Sequence, residues 1–315
     1  MKFKLDTTIP EYSPKISHKD KILFFGSCFS DEISRKFQNA GFNTSSNPCG
    51  IIFHPLPMAH IFQNILFKNL FETKLHTFEK NKLHFSWNHS PSIYGTSKKK
   101  LLDKIASIEN IFFKDIQTAT YLFITFGTAW GYLHKNEKFI VANCHKQADD
   151  LFQKELTEIN KMRKNWIEVL SKIYEINSSI QIVFTVSPVR HIKNGLAENN
   201  RSKARLFELI SILESQFPTR YFPSYEILID ELRDYRFYKE DLIHPNEQAL
   251  HYIWSKIKTA FFDFKTLKII DEIEKLRKLD QHLILSKDTK ERTFFEKQKK
   301  EKIALFLKKY PELKW

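Results

Sequence analysis

Glycine is scarce in this chain, 7 in 315 residues. Few positions can therefore turn the backbone through a left-handed conformation without strain, and a glycine beside a candidate site carries information. Cysteine is scarcer still: Cys28, Cys49 and Cys144 form neither a paired framework nor a Cys-x-x-Cys motif. That excludes a disulfide-stapled scaffold and fits reduced thiols in a reducing compartment. No stretch approaches the ~20 consecutive apolar residues of a membrane span. The opening MKFKLDTTIPEYSPK lacks the apolar centre of a signal peptide. A cytoplasmic protein with no membrane partner is the expectation.

What is present is a long, basic, phenylalanine-rich chain. At 315 residues it is large enough for one sizeable core, or for a domain with an appendage, and a globular enzyme is the natural starting point. Its formal net charge of +13 raises the question of nucleic acid. The lysines, however, are spread along the chain and interleaved with acids. No zinc-finger spacing, glycine-rich RNA-binding signature or isolated basic arm is present. No nucleic-acid partner is expected.

Apolar runs organise the chain. KILFF (21–25), YLFITF (121–126) and IQIVFTV (180–186) are short, rich in β-branched and aromatic residues, and without clean alternation. Such runs predict strands covered on both faces, hence a parallel sheet. Between them the spacing becomes helical. Phe29, Ile33 and Phe37 recur every four residues behind Asp31 and Glu32, acids that suit a first helical turn. The spacing predicts one long helix over 150–176 and another opened by Pro245, with Ala249, Ile253, Ile257 and Phe261 on one face. Alternating strands and helices imply an α/β class with three α/β/α layers over residues 1–265. Residues 266–315 hold no strand; two charged amphipathic helices there, with 14 Lys+Arg against 9 Asp+Glu, predict a C-terminal helical extension.

Two short stretches carry chemistry. In KILFFGSCFS the first strand runs into Gly26-Ser27-Cys28, at the carboxyl end where parallel sheets bind ligands. Ser27 is either a nucleophile at a helix N-terminus or simply its N-cap. In YKEDLIHPNEQAL, Asp241 and His244 stand three residues apart directly before a helix. That spacing lets a carboxylate orient an imidazole and support the imidazolium it becomes on taking a proton. Together they offer a triad in the order Ser, Asp, His.

Seven ordered blocks, GSCFS (26–30), NPCGIIFHP (47–55), TFGTAW (125–130), NCHK (143–146), TVSPVRH (185–191), FPSYEI (222–227) and DLIHPN (241–246), resemble the GSCFA-domain family, a branch of the SGNH/GDSL hydrolase superfamily. Ser30 replaces the alanine of the family name. The resemblance implies a flavodoxin-like SGNH fold with Ser27 as nucleophile and Asp241 and His244 completing the triad. It also implies an oxyanion hole from the Ser27 N–H, Gly50 and a third-block asparagine. Here the third block reads Phe126-Gly127-Thr128-Ala129, leaving Thr128 as the nearest polar candidate.

Other residues are candidates to line the pocket. Asn143 and His145 either contact substrate or pin a loop. Arg190 and His191 follow the third strand and suit either an anionic substrate group or a salt-bridged rim. Cys28 either attacks as a thiolate or is a buried structural thiol. His54 and Trp130 follow blocks that should face the cleft, Trp130 chiefly as packing. The Cys/His pattern lacks metal-ligand spacing, so neither metal nor cofactor is expected. Loops 81–100 and 191–204 show no pattern. The expected function is serine esterase or acyl hydrolase, acting on a small-molecule or carbohydrate ester. The alternative is a non-catalytic or weakly catalytic carbohydrate- or metabolite-binding module on the same scaffold.

Overall fold

A computed structural model describes residues 4–67, 76–281, 289–311 and 313. In chain order, β1 (Lys21–Gly26), α1 (Cys28–Asn39), β2 (Asn43–Ser46) and α2 (Pro55–Phe67) are followed by β3 (Thr77–Lys80), β4 (Leu83–Ser86) and β5 (Tyr94–Gly95). Next come α3 (Lys98–Thr118), β6 (Tyr121–Phe126), β7 (Trp130–His134), β8 (Ile140–Val141) and β9 (Phe152–Leu156). The chain continues through α4 (Ile159–Ile176), β10 (Gln181–Val186), α5 (Leu196–Glu214), β11 (Arg220–Tyr221) and α6 (Glu247–Phe261). Helices α7 (Phe264–Gln281) and α8 (Thr289–Lys309) close it.

The central sheet is parallel throughout, in the order β2-β1-β6-β10-β11. Counted along the chain, its strands lie 2-1-3-4-5, the flavodoxin-like order, whose direction of winding reverses between the first and third strands. Successive side chains point to opposite faces, so each strand feeds both layers. Leu23, Phe25, Leu122, Ile124, Ile182 and Phe184 pack against α2, α3, α4 and α5. Ile22, Phe24, Tyr121, Phe123 and Val183 pack against α1 and α6. This is the three-layer α/β/α arrangement that the apolar runs imply.

The C-terminal helices rest on that body. Ile270 of α7 joins the second core, while Ile269 and Ile273 pack with Phe306 of α8 and with Leu313.

Three sequence readings change. Residues 150–158 are not α-helical: Asp149–Leu151 form one short 3-10 turn, Phe152–Leu156 form β9, which pairs antiparallel with β7, and α-helix begins only at Ile159. Phe152 and Leu156 are four residues apart, a spacing shared by one helical turn and by one face of a strand, so the pattern alone does not separate them. Segment 81–100 holds β4, β5 and the start of α3, and 196–204 is the first half of α5. Two small antiparallel sheets, β3-β4-β5 and β8-β7-β9, supplement the main one.

Candidate active site

Gly26 ends β1 at φ +142°, and a β-carbon there would lie 2.2 Å from the Thr125 carbonyl oxygen of the neighbouring strand. Only glycine fits this approach. Asn47, at the end of β2, fixes the turn: its Oδ1 accepts the Gly26 N–H at 2.7 Å, and its Nδ2 donates to Asp31 Oδ1 at 2.7 Å. Ser27 therefore stands at the carboxyl edge of β1, where the order of the sheet reverses between β1 and β6. It occupies the N-cap position of α1, yet its side chain makes no capping bond. The Ser27 Oγ is enclosed and has no hydrogen-bond partner among the described residues. Buried hydroxyls without partners are rare, and this one sits where α/β sheets hold ligands.

The Asp241–His244 turn is built to hold an imidazole. Asp241 Oδ1 accepts the N–H groups of Ile243 (2.9 Å) and His244 (3.0 Å), while Oδ2 receives His244 Nδ1 at 2.7 Å. The His244 and Ile243 amides, and then the ring, hold the Asp241 carboxyl down to about 2. A carboxylate accepts only, so Nδ1 carries the proton and Nε2 presents a lone pair; Nε2 has no hydrogen-bond partner among the described residues. Leu242 adopts φ 59°, the left-handed kink that lets the carboxylate reach both amides. Asn246 then caps α6 through the Ala249 N–H at 3.1 Å.

Long-range contacts bring this turn to the edge that carries Ser27. Lys239 reaches Glu32 of α1 at 3.9 Å, and Glu247 pairs with Lys36 at 2.9 Å. From the β10 side, Arg190 donates from Nη1 to the Leu242 carbonyl (3.1 Å) and stacks its guanidinium 4.2 Å from the centre of the Tyr238 ring. Ser27 Oγ and His244 Nε2 share an edge of the sheet but no hydrogen bond.

Helix α5 supplies a clamp beneath the site. Asn199 Oδ1 accepts the His191 N–H at 2.9 Å, and Ser202 Oγ bonds Thr128 Oγ1 (2.8 Å) and the Ala129 N–H (2.7 Å). Lys203 is fully buried, its Nζ donating to the carbonyls of Gly127 (2.6 Å), Ser187 (2.7 Å) and Val189 (3.0 Å). Three acceptors match the three protons of an ammonium, although burial pulls its pKa down to about 7. One helix thus ties together the loops that follow β6 and β10.

Residues 21–257 match the GSCFA family. The chain belongs to the GSCFA family. No curated protein matches it.

Within this GSCFA domain the other sequence candidates take the following places. The Gly50 N–H, at φ +78°, donates to the Asn47 carbonyl at 2.8 Å. Thr128 Oγ1, besides its bond to Ser202, accepts the Trp130 N–H at 3.1 Å, so the hydroxyl braces a loop. Even the Ser27 N–H faces the Thr125 carbonyl, at 3.2 Å. Asn143 Oδ1 accepts the His145 N–H at 2.7 Å, and His145 Nε2 bonds the Ser86 carbonyl at 3.0 Å. The His145 ring packs against Phe78, Phe85 and Trp87, on the β3-β4-β5 sheet and not at the Ser27 turn. Arg190 braces the Asp241–His244 turn, as described above. His191 lies beside Phe53, with burial and then Lys154 and Lys203 lowering its pKa, so it stays neutral.

Burial pushes the Cys28 thiol up against the opposing pull of the Phe29 N–H, which disfavours a thiolate nucleophile. His54 is enclosed, bonded to the Ala129 carbonyl and Thr157 Oγ1 at 3.1 Å each. Trp130 donates its Nε1–H to the Glu198 carbonyl at 3.2 Å. Among the described residues, no group of three or more His, Cys, Asp or Glu is placed to hold a metal ion.

Asn47, Ser202 and Lys203 are the residues that sequence reasoning missed. The last two left a signal: Asn199, Ser202 and Lys203 continue the buried stripe of Leu206, Leu209, Ile210 and Leu213. Polar residues in register with a core stripe mark buried groups with assigned partners.

Proposed function

We propose that this chain is a serine ester hydrolase of the SGNH type, with Ser27 as nucleophile, His244 as general base and Asp241 orienting the ring. The observation that carries the reading is the Asp241–His244 pair: Nδ1 is bound at 2.7 Å and Nε2 is left unpartnered, on the sheet edge that presents the uncapped Ser27 hydroxyl. In this reading Ser27 Oγ attacks the ester carbonyl carbon while its proton passes to Nε2, and Asp241 stabilises the imidazolium. The imidazolium then protonates the departing alcohol. Water, deprotonated by the same ring, cleaves the acyl-serine and restores Ser27. The Ser27 N–H bond to Thr125, at 3.2 Å, is longer than the 2.8 Å bond of Gly50, and it is the donor this mechanism turns to the oxyanion. The proposed substrate is an ester of a carbohydrate or small metabolite, met in the reducing compartment that three free cysteines favour.

A binding module without turnover is the second reading. It is favoured by the enclosed Ser27 Oγ and by the bonds of the Ser27 and Gly50 N–H groups, two of the expected oxyanion donors, to protein carbonyls. A fluorophosphonate probe decides between them. Hydrolysis requires labelling at Ser27 that disappears in Ser27→Ala, and loss of short-acyl ester turnover in both Ser27→Ala and His244→Ala. A folded wild-type protein that takes no label would establish the binding module.

A further inference from the structure

Outside the candidate active site, the face of the β3-β4-β5 sheet that meets the 143–147 loop is concave. It forms an open cleft of ≈ 490 Å³, within the ~300–1,000 Å³ typical of small-molecule sites. Its apolar wall comes from Phe85, Pro91 and Tyr94; its charged rim comes from Lys80 and Lys146, and among the described residues no carboxylate lines it. Tyr94 is 45% exposed, so its ring is accessible at the mouth of the cavity. A third cation stands by, with Lys104 Nζ 5.1 Å from the centre of the Tyr94 ring.

The backbone on the far wall is held in place. His145 and Lys146 both adopt left-handed conformations, at φ 49° and 52°, which residues with a β-carbon seldom occupy. Lys80 stabilises them: its Nζ donates to the His145 carbonyl (2.8 Å) and the Lys146 carbonyl (2.7 Å). An ammonium has three protons, so one remains for a ligand. Lys146 is exposed and has no ion-pair partner among the described residues. Burial lowers the His145 pKa to about 4, leaving the ring neutral and the positive charge to the lysines.

The geometry points to an anionic sugar residue, a pyranose ring bearing a carboxylate or a phosphate, as the ligand of this cavity. Phe85 and Tyr94 are tilted 42° to each other with centroids 6.1 Å apart, so the two rings touch and present one angled apolar face to the cavity. That face suits the C–H face of a sugar ring. Lys80 and Lys146 then meet the anion, and the absence of carboxylates leaves it unopposed. The loop that carries Pro91 and Tyr94 also abuts Gly50, where an added β-carbon would fall 2.3 Å from Ser90 Cβ. The inference stands whether or not Ser27 hydrolyses esters.

The test is a ligand-observed NMR titration with glucuronate, glucose 6-phosphate and neutral glucose, on the full chain. At least one anion is expected to bind ten times more tightly than glucose. Binding of glucuronate alone identifies a carboxylate ligand, and binding of glucose 6-phosphate alone a phosphate. Tyr94→Ala and Lys146→Glu, both at exposed positions, should each weaken the anion at least fivefold. Ser27→Ala should leave its affinity unchanged, so the outcome does not depend on esterase activity. Neither anion exceeding glucose, or both surface variants keeping wild-type affinity, would overturn the proposal.

Discussion

Glu109 is a carboxyl where the fold calls for an apolar side chain. It lies on the buried stripe of α3 between Ile105 and Phe112, 5% exposed, with Oε1 unpartnered among the described residues. Burial raises its pKa from 4.5 to about 7. The unfolded chain releases this proton near pH 4.5, whereas the folded protein keeps it until about pH 7. Between those values the folded state binds more protons, so stability falls as pH rises and levels off above about 7. A separation of about 2.5 pH units, at ~1.36 kcal/mol each, makes the loss about 3 kcal/mol. Glu109→Gln has nearly the same shape and cannot ionise. At pH 5 the two proteins should be equally stable within about 1 kcal/mol, and at pH 8 the variant should be more stable by about 3 kcal/mol. Urea unfolding of both proteins at pH 5, 6, 7 and 8 measures this directly, because every other titrating group is shared. A difference between them that stays constant across that range would refute the reasoning.

Two further predictions concern the site and follow from its hydrogen bonds. Under the proposed hydrolysis, Arg190→Ala should lower kcat about tenfold, equivalent to ~1.4 kcal/mol, with KM nearly unchanged, because Arg190 braces the turn that holds His244. Arg190→Lys should not rescue it, since lysine lacks the flat guanidinium that stacks on Tyr238; a raised KM with intact kcat would instead make Arg190 a substrate anchor. Thr128→Val should cost about 1–3 kcal/mol in chemical denaturation by stranding the Trp130 N–H, while turnover per folded molecule holds. A hundredfold fall in turnover at unchanged stability would return Thr128 to the oxyanion hole.

The sequence by itself determined the central strands, because KILFF, YLFITF and QIVFTV are apolar on both faces and only a sheet covered on both sides accepts such runs. It also located the Gly26-Ser27 turn, and it paired Asp241 with His244, since three residues of one turn set that contact locally. Where periodicity is ambiguous, as between Phe152 and Leu156, tertiary pairing with β7 decided for a strand. Hydrogen-bond commitments at the site lie beyond any sequence reading. Gly50, Thr128 and Arg190 carry the donors expected of a catalytic pocket, but whether those donors face a ligand or another part of the chain depends on partners up to 74 residues away, such as Ser202 for Thr128. The same holds for Lys203, whose place among three carbonyls exists only once β6, β10 and α5 have come together.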